Sequence, residues 1–167
     1  MSKRSKPGVG FWITNVVEGN TGKIHLSIFN VRYNLGSKKA HTTYRAYLLL
    51  RSKTLVCPEF RVEPESFLDK LDHSIGIGWQ DIDFDKFPVF SSRFLVSSPN
   101  EVHFRKFFNV KAIPFFLSHP DLTVETKLNE FLFHLPVDRI SAEDVEEYIT
   151  DAIDLYNLLA SPEQTSN

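Results

Sequence analysis

Between Lys23 and Tyr33 the chain alternates residue by residue. Ile24, Leu26, Ile28 and Asn30 fall on one side, and His25, Ser27, Phe29 and Val31 on the other. A period of two predicts a β-strand with one face inward. Phe11 to Glu18 predicts a strand before it, closed by a turn at Gly19-Asn20. Thr42 to Arg51, rich in Thr, Tyr and Leu, predicts the return strand after a hairpin loop over Asn34 to Lys39. These three segments predict an antiparallel meander. Pro58 is expected to break the ladder, with Glu59 to Val62 extended beyond it.

The pattern then changes. Pro64-Glu65 opens a helix expected to run to about Leu71, because proline suits the first helical turn and glutamate complements the helix dipole. His73 to Gln80, with Gly76 and Gly78, reads as a flexible connection. A Phe-rich strand is expected over Phe90 to Ser97. A helix follows over Val102 to Phe108, capped by Asn100 or Ser98. Ile113 to Leu117 reads as a helical turn, and Thr123 to Leu135 as a hairpin turning at Lys127-Leu128-Asn129. Val145, Tyr148, Ile149, Ala152, Leu155, Tyr156 and Leu159 recur at helical spacing, behind a capping pair of Ser141 and Asp144. The sum is an α+β fold: an antiparallel sheet of about six or seven strands with three or four helices packed mainly on one face. Residues 11–160 form the expected single domain, with a flexible tail over 1–10 and a disordered one over 161–167.

Composition narrows the function. Fifteen phenylalanines in 167 residues predict an aromatic-rich core. A net charge of −2 argues against an extended nucleic-acid surface, which needs clustered cations to displace counterions. Lys3, Arg4 and Lys6, with Lys38 and Lys39, are the weak exception. The single Cys57 excludes an internal disulfide and a cysteine-based zinc site. Met1 to Gly10 has no apolar core of a signal peptide, and no apolar run reaches the roughly 20 residues that cross a bilayer. The expected location is the cytoplasm.

Several motifs, in order, carry a resemblance. They are Phe29 to Tyr33, Gly36, Thr42-Thr43, Pro58 to Glu65, Asp81 to Phe84, Phe90 to Phe94 and Arg105 to Phe107. Across residues 20–117 this series resembles a family of uncharacterised bacterial proteins, a domain of unknown function. Many members carry membrane-spanning segments outside the domain. The resemblance implies a small α+β domain working beside a membrane, and it supplies no activity.

Candidate chemistry is sparse. If extended, Asp81, Asp83 and Asp85 project to one face, but Lys86 and Ser92 stand where a calcium loop needs Gly and Glu. The six histidines show no metal-ligand spacing. Ser91-Ser92 lacks the flanking glycines of a nucleophile elbow, and Gly76-x-Gly78 lacks the third glycine of a phosphate loop. No catalytic residue, metal or cofactor is expected. The favoured function is a non-enzymatic protein-binding or scaffold module. Of the pairs Phe107-Phe108 and Phe115-Phe116, Phe108 and Phe116 are the rings expected to meet a protein partner or a homodimer seam near Ile113 to Leu117. The alternative is an enzyme or small-ligand protein whose site gathers Asp81, Asp83, His103 and Arg105.

Overall fold

A computed structural model describes residues 10–34, 42–65 and 79–160. The expected hairpin loop after Asn34, the part of the expected Pro64 to Leu71 helix beyond Glu65, the Gly76-Gly78 connection, residues 1–9 and 161–167 of the tails and the five basic residues of the nucleic-acid reading lie outside these residues, and Pro64 itself ends a strand rather than opening a helix.

Among the described residues, eight antiparallel strands and four α-helices make an α+β fold, against the six or seven strands and three or four helices expected. In chain order the strands are β1 (Gly10–Thr21), β2 (Ile24–Asn34), β3 (Thr42–Ser52), β4 (Cys57–Pro64), β5 (Gln80–Asp81), β6 (Phe94–Ser98), β7 (Thr123–Leu128) and β8 (Glu130–His134). The helices are α1 (Pro88–Ser91), α2 (Glu101–Phe107), α3 (Ile113–Ser118) and α4 (Val145–Ala160). The spatial order is β1-β2-β3-β8-β7-β4-β6-β5. The β1–β3 meander forms first along the chain, and the β7–β8 hairpin later fills the gap between β3 and β4.

The alternation of β2 sends one face into the core, while Ser27 and Val31 on the other face are buried as well. Ile24, Leu26, Ile28 and Asn30 are all buried. On β3 the same face carries Ala46, Leu48 and Leu50, and on β8 it carries Phe131 and Phe133. All four helices set rings or side chains against that face. Phe90 of α1 and Phe116 of α3 meet Phe94, Phe104 of α2 meets Phe60, and Tyr156 of α4 meets Phe131 edge-on. The phenylalanines thus build an interior of offset and edge-to-face pairs, the arrangement that the ring quadrupole favours.

Three further local expectations need correction, and one strand had none. The first hairpin turns at Gly22-Lys23 rather than Gly19-Asn20, because Gly22 takes the left-handed conformation (φ 57°) that a tight turn requires. Pro58 does not end the ladder. It sits inside β4, where the register against β7 shifts between Cys57 and Phe60. A bulge tolerates a residue that cannot donate an N–H. The stretch expected as a strand from Phe90 opens instead as α1, whose first helical position is Pro88. The amide of Phe84 donates to Ser91 Oγ across 2.8 Å, which ties this short helix to the preceding loop. The two-residue strand β5 pairs with the end of β6 and had no sequence pattern long enough to mark it.

The capping expectation for α2 holds, whereas Ser141 caps the turn ahead of α4, whose own first bond runs from the Tyr148 amide to the Asp144 carbonyl. Asn100 Oδ1 accepts from the His103 amide at 3.0 Å at the start of α2. Ser141 Oγ donates to Asp144 Oδ2 at 2.7 Å and accepts from the Asp144 amide at 3.3 Å before α4.

Candidate functional site

The two ends of the sheet are built differently. At one end β5 offers a two-residue, polar edge. At the other, the twelve residues of β1 pair, among the described residues, only with β2. Every residue of β1 from Phe11 to Thr21 is exposed. Phe11 is 68% exposed and Trp12 51%, and Ile13, Val16 and Val17 are open to a similar degree. In register, Phe11 and Ile13 share a face with Tyr33 and Val31, while Trp12 and Thr14 lie on the face of Arg32 and Asn30. Apolar residues therefore stand on both faces of an open edge. Arg32 lies 5.3 Å from the Trp12 ring, a cation over an aromatic face. Asn15 takes a positive φ (55°), and the register slips between Thr14 and Val17, so the strand bulges at its middle.

The residues singled out from sequence have other places. Phe108 is 2% exposed and Phe116 is fully buried, and their rings stack at 6.4 Å. The partner surface expected of them is absent, because both members of this stack point into the shared aromatic interior. Asp83 and Arg105 do meet, in a groove of about 390 Å³ that Asp85, Lys86, Phe87 and Val110 help to line. Asp81 on β5 and His103 on the exposed side of α2 are not among its lining residues. The Arg105 guanidinium is already engaged. Nε donates to Glu101 at 2.6 Å, an NH2 donates to the Asp83 carbonyl at 2.9 Å, and the group covers the Phe84 ring. It clamps the loop before α1 to α2.

Two polar groupings had no signature in the sequence. On the sheet face opposite the phenylalanines, a line of side chains runs from Tyr33 through Tyr47, His134 and Glu125 to Arg61 and Glu63. The Tyr33 and Tyr47 hydroxyls are hydrogen-bonded. Tyr47 packs edge-on against His134, and burial holds its hydroxyl protonated well above the usual range, with Tyr33 adding to the shift. His134 Nε2 lies 2.8 Å from Glu125 Oε1. The angle falls short of an aligned N–H···O bond, so the contact acts chiefly as an ion pair when His134 is protonated. The neighbouring imidazole still draws the Glu125 carboxyl below its ordinary range, against the opposing pull of burial. Arg61 bonds the buried Glu63 at 2.8 Å, which supplies that carboxylate with its counter-charge.

The second grouping joins α3 to α4. His119 Nδ1 lies 2.8 Å from the Phe115 carbonyl, and Nε2 lies 3.3 Å from Asp151 Oδ2. Beside this pair is an apolar hollow of about 100 Å³ walled by Leu122, Phe133 and Leu135, with Tyr148 at its rim. Burial raises the Tyr148 hydroxyl above its usual value, and Asp144, Glu147 and Asp151 raise it further. Only tertiary proximity could reveal such groups, since residues 119 and 151 share no sequence motif. Among the described residues, no three His, Cys, Asp or Glu side chains gather closely enough to hold a metal ion. Among them too, no helix is long and apolar enough to cross a membrane.

No protein-family model, no curated protein and no solved structure matches this chain.

Proposed function

We propose that this chain is a non-enzymatic protein-binding module that engages its partner along the open edge of β1. The observation that carries this reading is the run Phe11, Trp12 and Ile13, exposed at the outermost strand of an eight-stranded sheet. An edge strand presents unpaired backbone N–H and C=O groups, and added strands use them for affinity while side chains give selectivity. Aromatic side chains are favoured at the centres of interfaces, where they bury much area at small entropic cost. The lone, free Cys57 fits a reducing compartment, and the reading puts the module in the cytoplasm.

A photocrosslinking amino acid replacing Trp12 in the intact cell tests it. A discrete protein adduct that disappears when the same group replaces Gln80 on β5 is expected. A folded, expressed protein that yields no adduct from β1 would dispose of the reading.

The groove that joins Asp83 and Arg105 favours a second reading, a small-ligand protein. It is the weaker one, because Arg105 is committed to Glu101, the Asp83 carbonyl and Phe84.

A further inference from the structure

We infer that the occupant of the β1 edge is a second copy of this chain, paired antiparallel through Gly10–Thr14 about a two-fold axis. The inference rests on the protein-binding reading above and names its partner.

Geometry comes first. All seven strand pairings of this sheet are antiparallel. An antiparallel ladder is the arrangement in which a strand can meet its own copy across a two-fold axis, and such isologous contacts are the commonest in oligomers. Two sheets would then join into one.

Chemistry narrows the occupant. From Gly10 to Val17 the strand has no charged residue. Apolar side chains stand on both of its faces, Phe11 and Ile13 on one and Trp12 on the other. A matching strand must bring apolar groups to both faces as well, and the same stretch of a second copy does so. Natural edges are usually blunted by charges, bulges or brevity. Here those devices sit elsewhere: the bulge at Asn15, the carboxylate of Glu18, and the short β5 at the far edge. The half from Gly10 to Thr14 has none of them.

Area fits a weak dimer. The exposed parts of Phe11, Trp12 and Ile13, the large apolar side chains of the paired half, come to on the order of 400 Å² per copy, the size of patch that marks a contact site on a monomer. With the backbone of the paired strands added, the seam lies at the low end of specific interfaces, below about 600 Å² per partner.

The test is the solution mass of the full chain, by light scattering and sedimentation from about 1 to 200 µM, which brackets a micromolar dissociation constant. The expected result is twice the 19.2 kDa chain mass. Ile13→Lys places an ammonium in the seam and is expected to weaken the dimer about 30-fold or more, the loss typical of a central interface residue. Phe11→Lys provides a second reading should Ile13→Lys fold poorly, and Gln80→Lys on β5 is expected to leave the dimer intact. A wild-type monomer at the highest concentration overturns the inference, as does a dimer indifferent to both β1 substitutions. The crosslink from position 12 separates the two levels. An adduct with a different protein, from a chain that is monomeric, keeps the binding reading and removes the second copy. No adduct at all removes both.

Discussion

The Ser52 hydroxyl at the end of β3 and the Tyr156 hydroxyl on α4 lie 2.9 Å apart, both out of solvent. Ser52 Oγ also accepts from the amides of Thr54 and Leu55, at 3.2 and 2.9 Å. One oxygen therefore fixes the chain as it leaves β3 and anchors the final helix. Tyr156→Phe removes one bond and leaves the two amides satisfied, so a cost of about 1 kcal/mol is expected. Ser52→Ala strands two amides and a buried phenol, so about 2–3 kcal/mol is expected. Urea denaturation of both variants checks the order; equal losses would mean that the amides find water instead.

Glu125 gives stability a pH dependence. Its folded-state pKa is depressed by His134, so the native state releases this proton more readily than the unfolded chain does. The resulting stabilisation is complete above the ordinary glutamate value of about 4.3 and is lost as pH falls through the folded value. The side chain is 38% exposed, which discounts the contribution to about 1 kcal/mol. Glu125→Gln should be less stable than wild type near pH 5.5, where an ordinary imidazole is charged, with the gap shrinking as pH falls below about 4. Denaturation midpoints from about pH 5.5 downward decide it, and a gap that does not shrink as the carboxyl protonates would point to packing rather than charge.

Cys57 is buried, and burial pushes its thiol up to about 11. Its Sγ–H donates to the Leu128 carbonyl at 3.0 Å. The reactive form is the thiolate. The native protein is therefore expected to resist a disulfide-exchange reagent at pH 8 and to react fully once unfolded in urea. A rapid, stoichiometric reaction in buffer would contradict this burial.

Leu128 turns the β7–β8 hairpin with φ 58°, a conformation in which an L side chain crowds its own carbonyl. The side chain is largely exposed and gives little packing in return. Leu128→Gly relieves the crowding but loosens the unfolded chain, and a net gain of about 0.5 kcal/mol is expected. Thermal melts of the two proteins measure it; a clear loss would show that the leucine packs in solution.

Local rules reached a good part of this fold. The strands β2, β3, β7 and β8 follow from alternation, and α2 and α4 from caps and stripes, because those signals lie within a few residues of one another. The same rules misassigned Phe90, since an isolated ring reads equally well as strand or helix until Phe84, Phe94 and Phe116 close around it. They also sent Phe108 and Phe116 to a surface. Which member of an aromatic pair faces inward depends on the angle at which a short helix meets the sheet.

By itself the chain's order of residues determined an α+β sheet protein with a phenylalanine interior, because periodicity and caps act locally and a chain with so many bulky rings gains most by taking the bulk of them out of water. Only the tertiary structure decided that β1 is an outer strand while β7 and β8 are inner ones. Neighbour relations in a sheet are set by long-range pairing, not by any property a strand carries within itself. The exposed Phe11-Trp12-Ile13 edge and the meeting of His119 with Asp151 both arise from that pairing and the packing built on it.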